Sequence, residues 1–338
     1  MGTGPGATAR GGIVTVIHHE DEVDAGVLDG RSVAVVGYGN QGRSWALNLR
    51  DAGLDPTVCV RADESRARAE HEGFATVDVA GASRADVVCV LVPDDVIPTL
   101  GLAPAEDALT IVASGYALAF GGFRPAGDVA MVAPRMLGPE VRSCFTEGVG
   151  FISAVGVEVD ATGLAWPRTL AVAAAIGGLR QGAVELTPRQ EAVLDLAVEQ
   201  VLSPALTLVN GAFVGLMLEQ GIPLEAVLCE LMLSGEIERN YRMLREEGFV
   251  AQLDHHSPTS QYGQLSRRGR FDHLEVAAAM GEVLDDITSG RFADEWEQER
   301  RAGHPGLARL RAEHAGPEMA EFERDLRARL GPDVDRDG

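Results

Sequence analysis

Val33-Ala34-Val35-Val36-Gly37-Tyr38-Gly39-Asn40-Gln41-Gly42 is the stretch that decides the fold. A short apolar run turns through three glycines spaced G-x-G-x-x-G, and a helical pattern follows over 42–52. Each glycine has its own reason to be there. Gly37 permits a tight turn, Gly39 lets a pyrophosphate approach the backbone, and Gly42 allows the helix to pack close to the strand. The helix start then offers free N–H donors and a partial positive charge to an anion. With 40 glycines in the chain, the spacing alone arises by chance. The strand–turn–helix setting is what points to a bound dinucleotide rather than a structural turn. Gly37, Tyr38, Gly39, Asn40, Gln41 and Gly42 are therefore candidate cofactor-binding residues.

Outward from this turn, apolar runs at 32–36, 57–60, 87–92, 110–113, 129–133 and 150–157 read as strands. Helical stretches at 42–52 and 65–72 lie between the first three. Strands alternating with helices predict a parallel sheet covered on both faces. After Thr187 helical patterns dominate. Thr187-Pro188-Arg189-Gln190 carries an N-cap threonine, a proline at N1 and a glutamine at N3, so a helix begins there. A second long helix is expected from Pro223 to about Glu247, stopping at Gly248. The expected fold class is α/β, an N-terminal doubly wound Rossmann domain followed by an all-α domain. The expected divisions are a loose arm over 1–13, the dinucleotide domain over 14–186, the helical domain over 187–330 and a tail over 331–338.

The second strand ends at Val60-Arg61, where the adenosine ribose should lie, and Ala62-Asp63-Glu64-Ser65-Arg66 follows. Asp63 and Glu64 favour NADH, since a carboxylate can bond the ribose hydroxyls. A carboxylate about 5 Å from a 2′-phosphate would cost about 3 kcal/mol per charge pair at an effective dielectric of about 20. Arg61, Ser65 and Arg66 could instead hold that phosphate, so NADPH stays open and NADH is preferred.

Composition narrows the partners. The chain of 338 residues has a formal charge of −22, and such a surface repels phosphate backbones, which argues against nucleic acid. No apolar run is expected near the roughly 18–20 residues a membrane span needs. The first twelve residues lack a signal-peptide pattern. The four cysteines form no C-x-x-C pair and read as free thiols in a reducing cytoplasm.

On the first helix after Thr187, Asp195 and Glu199 stand at i and i+4 among mostly aliphatic neighbours. A buried carboxylate needs a cation, hydrogen bonds or protonation. Two oxygens converging on Mg²⁺ would answer that need, and a structural or interface pair would answer it equally well. Glu230, Glu236 and Glu238 add carboxylates further on, although Glu230 and Glu236 do not share a helical face. His255-His256-Ser257-Pro258-Thr259-Ser260 is a polar cluster, read as a loop that caps an anion or as a plain turn.

With these residues in view, the chain resembles a short-form ketol-acid reductoisomerase (acetohydroxy-acid isomeroreductase) over about 14–330. The resemblance is carried by V-A-V-V-G-Y-G-N-Q-G with A-L-N-L-R-D-A-G, then A-D-V-V-C-V-L-V-P-D-D and D-V-A-M-V-A-P-R. A-A-A-I-G-G-L-R-Q-G-A-V-E-L-T, D-x-x-x-E-Q, Q-Y-G and S-G-R-F-A-D-E-W follow in the same order. It implies a Rossmann domain and a helical domain that completes the site in a homodimer or higher oligomer. It also implies Mg²⁺-assisted alkyl migration in a 2-hydroxy-3-oxo acid, then hydride transfer from NAD(P)H to the new 2-oxo group. Asp195, Glu199 and Glu236 fall on metal-binding carboxylates of the family, Ser257 on a substrate-binding serine and Arg135 on a catalytic lysine. Pro93, Asp94, Ser114 and Gly138 fall beside the cofactor, together with Arg61, Asp63 and Ser65.

Departures from the family accompany the matches. Ser114-Gly115-Tyr116 replaces an H-G-F segment, Arg135 replaces the lysine, and Met136-Leu137-Gly138-Pro139 follows it. Met232 stands four residues before Glu236, where a second glutamate belongs. Methionine cannot replace a carboxylate on Mg²⁺. An inserted residue nearby lets Glu230 substitute if the helix is bulged. The leading expectation is a divergent enzyme that reduces a small 2-oxo or 2-hydroxy-3-oxo acid, with its isomerase step reduced or altered. A complete reductoisomerase of branched-chain amino-acid synthesis and a non-catalytic dinucleotide-binding relative are the alternatives.

Overall fold

The structure, a computed structural model, describes residues 15–314 and 316–330. The arm expected over 1–13 and the tail over 331–338 lie outside these residues. The chain forms two compact units, Met1–Asp195 and Leu196–Gly338.

The described residues of the first unit form nine strands: β1 Ile17–His18, β2 Val33–Val36, β3 Thr57–Cys59, β4 Thr76–Val77, β5 Val87–Val90, β6 Leu109–Val112, β7 Asp128–Pro134, β8 Ser153–Val159 and β9 Ala183–Glu185. They form one sheet in the order β1-β9-β8-β7-β6-β5-β2-β3-β4. From β4 to β7 every pairing is parallel. Among the described residues only β7–β8 and β1–β9 run antiparallel. β2, β5 and β6 are buried at every residue, which is why they read as continuous apolar runs rather than alternating ones. α1 (Asn40–Asp51), α2 (Glu64–His71), α3 (Tyr116–Ala119), α4 (Gly138–Thr146) and α5 (Ala165–Ala175) connect the strands. The doubly wound class expected from the sequence is the one observed. β1, β4 and β9 were not foreseen, because two or three residues carry no period to detect.

α6 (Pro188–Ala197) begins at the expected place. The Thr187 hydroxyl accepts the Gln190 N–H at 3.2 Å, and the Gln190 side chain accepts the Thr187 N–H at 2.9 Å.

The second unit is helical. A π-turn at Val198–Leu202 leads into α7 (Ser203–Glu219). The single helix expected from Pro223 to Glu247 is in fact broken. α8 (Leu224–Leu228) passes into a π-turn at Cys229–Leu233, and α9 (Glu236–Glu247) starts afresh. Gly235, at φ 73°, makes the break, and the Ser234 hydroxyl accepts the Glu236 N–H at 3.2 Å to start the new helix. Gly248 ends it as expected.

The expectation that no apolar run approaches the length of a membrane span does not hold. Residues 201–218 carry no charge, and Pro188–Glu219 is long and apolar enough to cross a membrane by length and composition. Ser203, Thr207 and Asn210 punctuate the run and hid it from a reading of unbroken apolar residues.

Candidate functional site

The glycine turn sits where the strand order reverses, between β2 and β5, the position at which doubly wound sheets bind ligands. Gly37 has φ 97°, and its N–H bonds the Cys59 carbonyl at 3.1 Å. A Cβ on Gly37 would lie 2.6 Å from the Leu91 carbonyl oxygen, so the turn is wedged against the end of β5. Gly42 is tighter still, with a Cβ falling 2.2 Å from the Gly37 carbonyl oxygen. Gly39 differs: nothing lies within 4 Å of its Cβ position, which leaves space above the backbone for a ligand.

Gly138 opens α4 against the start of α1, where its Cβ would meet the Asn40 carbonyl carbon at 2.5 Å. Two helix N-termini, at Asn40 and Gly138, therefore stand side by side and present their free N–H groups. Gln41 is also on this edge, its amide donating to the Met136 carbonyl at 3.5 Å. Tyr38 is buried, and its hydroxyl donates to Glu72, which also takes the Arg43 guanidinium at 2.7 Å. The Tyr38 side chain thus braces the turn. Pro93 and Asp94 follow β5, where the Pro93 carbonyl accepts the Val96 N–H at 2.9 Å and closes a short turn.

After β3, Asp63 is the N-cap of α2, its carboxylate accepting the Ser65 N–H at 3.0 Å. Arg66 is committed elsewhere, to the Val60 carbonyl at 2.7 Å and to Asp78 at 2.5 Å. Arg61 is exposed and lies 3.6 Å from Asp63. The loop keeps its carboxylate in place and turns one of its two arginines away.

A second cluster lies where β6 and β7 end beside α6. The Arg135 guanidinium donates to Glu191 at 2.6 Å and to Asp195 at 3.1 Å. Glu191 is 1% exposed, and its other oxygen accepts the Gly115 N–H at 2.6 Å. Burial pushes the Glu191 carboxyl above its usual range, against the pull of the Gly115 N–H and the Arg135 charge. Gly115 has to be glycine here, since a Cβ would meet the Pro188 carbonyl oxygen at 2.0 Å. Ser114 is partly buried and accepts the Tyr116 N–H at 3.2 Å.

The sequence predicts Asp195 and Glu199 as a buried pair and does not single out Glu191. Asp195 is in fact 42% exposed at its side chain and Glu199 is exposed, while Glu191 is the buried carboxylate. Glu191, Asp195 and Glu199 repeat every fourth residue, which marks a shared helical face but not which of them is buried.

The remaining candidates belong to the second unit. Glu199 and Glu230 each fall within a π-turn, a winding often found at functional sites. The bulge that would let Glu230 serve in place of Met232 is thus present. Glu236 is exposed at the start of α9. Ser257 caps α11 (Pro258–Arg267), its hydroxyl accepting the Ser260 N–H at 3.3 Å. His255 pairs with Glu247 at 2.6 Å and His256 with Gln252 at 2.9 Å. Among the described residues no group of three or more His, Cys, Asp or Glu side chains is arranged to hold a metal ion. The carboxylates are the right donors for a hard divalent cation, and the one on Asp195 is engaged by Arg135.

Residues 27–182 match the family model described as acetohydroxy acid isomeroreductase, NADPH-binding domain, and residues 189–331 the ketol-acid reductoisomerase C-terminal domain. The NADP(+) ketol-acid reductoisomerase of Methanothermobacter thermautotrophicus is 37% identical over 326 residues, covering 93% of this chain and 98% of that protein. The corresponding protein of Saccharopolyspora erythraea is 34% identical, covering 94% and 98%. An NADH-preferring ketol-acid reductoisomerase from an uncultured archean superposes with a TM-score of 0.85 at 28% identity, covering 93% of this chain and 98% of that one.

Proposed function

Because this chain belongs to the ketol-acid reductoisomerase family and is an NAD(P)H-dependent oxidoreductase, we propose that it reduces a small 2-oxo acid with NADH and Mg²⁺, with its alkyl-migration step altered. The observation that carries this reading is the Arg135 guanidinium held on Glu191 and Asp195, where the family has a lysine. A planar fork bonded to two carboxylates is not equivalent to a compact ammonium. When bound, the nicotinamide would supply hydride, and Mg²⁺ would compensate the charge developing on substrate oxygen.

The chain's own residues do the rest. The N–H groups at the starts of α1 and α4 take the pyrophosphate, and Gly39 leaves the backbone bare for it. Asp63 takes the ribose hydroxyls, which favours NADH. Pro93, Asp94 and Ser114 border the cofactor. Asp195 and Glu199 would hold Mg²⁺, and Glu236 and Glu230 would offer further carboxylates from the helical unit. Arg135, held on Glu191 and Asp195, takes the place of the family's catalytic lysine, and Ser257 is a substrate-binding hydroxyl carried by the helical unit.

We read the apolar face of α7 as the surface of a homodimer in the cytoplasm. Leu206, Leu208, Val209, Phe213 and Leu216 are all exposed along it, and a run of exposed apolar side chains of this kind marks an interaction surface.

Oxidation of NADH with Mg²⁺ is followed on 2-acetolactate and on its rearranged isomer, 3-hydroxy-3-methyl-2-oxobutyrate. Turnover of the rearranged compound alone is expected. Turnover of both would restore the complete reductoisomerase reaction of branched-chain amino-acid synthesis. Activity on neither, with NADH bound, would exclude these substrates. Asp195→Asn should lose Mg²⁺-dependent turnover while keeping NADH affinity, and unchanged turnover would sink the metal assignment.

A further inference from the structure

Arg135 leaves the sheet directly after Pro134, and its own N–H bonds the Ile152 carbonyl at 2.9 Å, so the root of the side chain is fixed. Its two terminal nitrogens are divided between carboxylates one turn apart on α6. The two bonds are unequal. Nη1 meets Glu191 at 2.6 Å, and Glu191 is buried and held at its other oxygen by the Gly115 N–H. Nη2 meets Asp195 at 3.1 Å, on the half-exposed side of the cluster. Glu191 is thus the anchor, and Asp195 the arm that can be given up. A guanidinium serves both because its N–H groups lie in one rigid plane, whereas an ammonium on the same anchor is a single point charge.

We propose that Arg135 is a built-in competitor for the Asp195 carboxylate, and so sets the affinity of this protein for a divalent cation. A cation that takes Asp195 either displaces Nη2 from Oδ1 or shares the carboxylate with the guanidinium charge against its repulsion, while Glu191 retains Nη1 and keeps the arginine in place. The inference rests on Asp195 being a metal ligand.

The test is Mn²⁺ binding to the whole NADH-loaded protein, read from the loss of the free-ion electron paramagnetic resonance signal. Arg135→Gln should bind Mn²⁺ about fivefold more tightly than the wild type, the worth of one half-exposed ion pair, with unchanged NADH affinity. Arg135→Gln leaves a buried carboxylate without its cation and could fold poorly. Arg135→Lys keeps a charge on Glu191 and should also tighten Mn²⁺ binding. Asp195→Asn should lose the Mn²⁺ site. If Asp195→Asn loses the site while both Arg135 variants bind no more tightly than the wild type, the competition is overturned and the metal assignment stands. If Asp195→Asn binds as the wild type does, both readings fall.

Discussion

Gly42 and Gly37 approach so closely that a Cβ on Gly42 would stand 2.2 Å from the Gly37 carbonyl oxygen, a contact between backbone and backbone that no rotamer can relieve. Gly42→Ala should therefore destabilise the first unit by about 1–3 kcal/mol, the usual cost of overpacking, and weaken NADH binding with it. Gly39→Ala is the control, because nothing lies within 4 Å of its Cβ. It should melt like the wild type yet raise the NADH Kd at least roughly tenfold, as a methyl group in the ligand's path would. Equal effects of the two substitutions on melting would contradict the distinction.

Glu72 gathers the Tyr38 hydroxyl and the Arg43 guanidinium behind the glycine turn. The Arg43 bond, opposed by burial and helped by Tyr38, holds its carboxyl below the ordinary value of 4.5. Glu72→Gln should cost about 1–2 kcal/mol at pH 7, since a charge-assisted bond is worth about 1.5–3 kcal/mol and the exposure of Arg43 screens it. A depressed carboxylate pKa stabilises the fold above the unfolded value and loses that contribution as pH falls through the folded one. The gap in urea midpoint between wild type and variant should thus be full at pH 7 and close progressively below about 4.5. A gap that widens on acidification would refute the assignment.

Asp63 both caps α2 and faces the expected ribose position, so the substitution chosen must spare the cap. Asp63→Ser with Glu64→Ser keeps a capping hydroxyl and removes two negative charges. The ratio of kcat/KM for NADPH over NADH should rise about tenfold, well within the roughly 3 kcal/mol at stake per charge pair. Thermal melting should hardly change. An unmoved ratio would mean that neither carboxylate reads the ribose.

Val209 lies exposed on α7 amid residues 201–218, which carry no charge. Val209→Asp should shift the sedimenting species from dimer to monomer, since an aspartate buried without a partner at an apolar interface is strongly disfavoured. A wild-type chain that sediments as a monomer would dismiss the dimer.

What could be read from the sequence was local. The turn from Val36 to Gly42, the Thr187–Gln190 capping box and the stop at Gly248 depend on residues within one turn of each other, where φ preferences and short hydrogen bonds decide the outcome. The same reach explains why the apolar runs of β2, β5 and β6 were legible and the two-residue strands were not.

The break at Gly235 lay at the limit of that reach, because a glycine inside a helical pattern can be tolerated or can turn left-handed, and its neighbours decide which. The Arg135 cluster lay beyond it. Glu191, 56 residues from Arg135 and 76 from Gly115, looked like one more helix glutamate. Only the sheet, by bringing the ends of β6 and β7 against the first turn of α6, removed it from water and gave it two partners. Burial and pairing at that distance follow from which strands become neighbours, and no spacing along the chain encodes them.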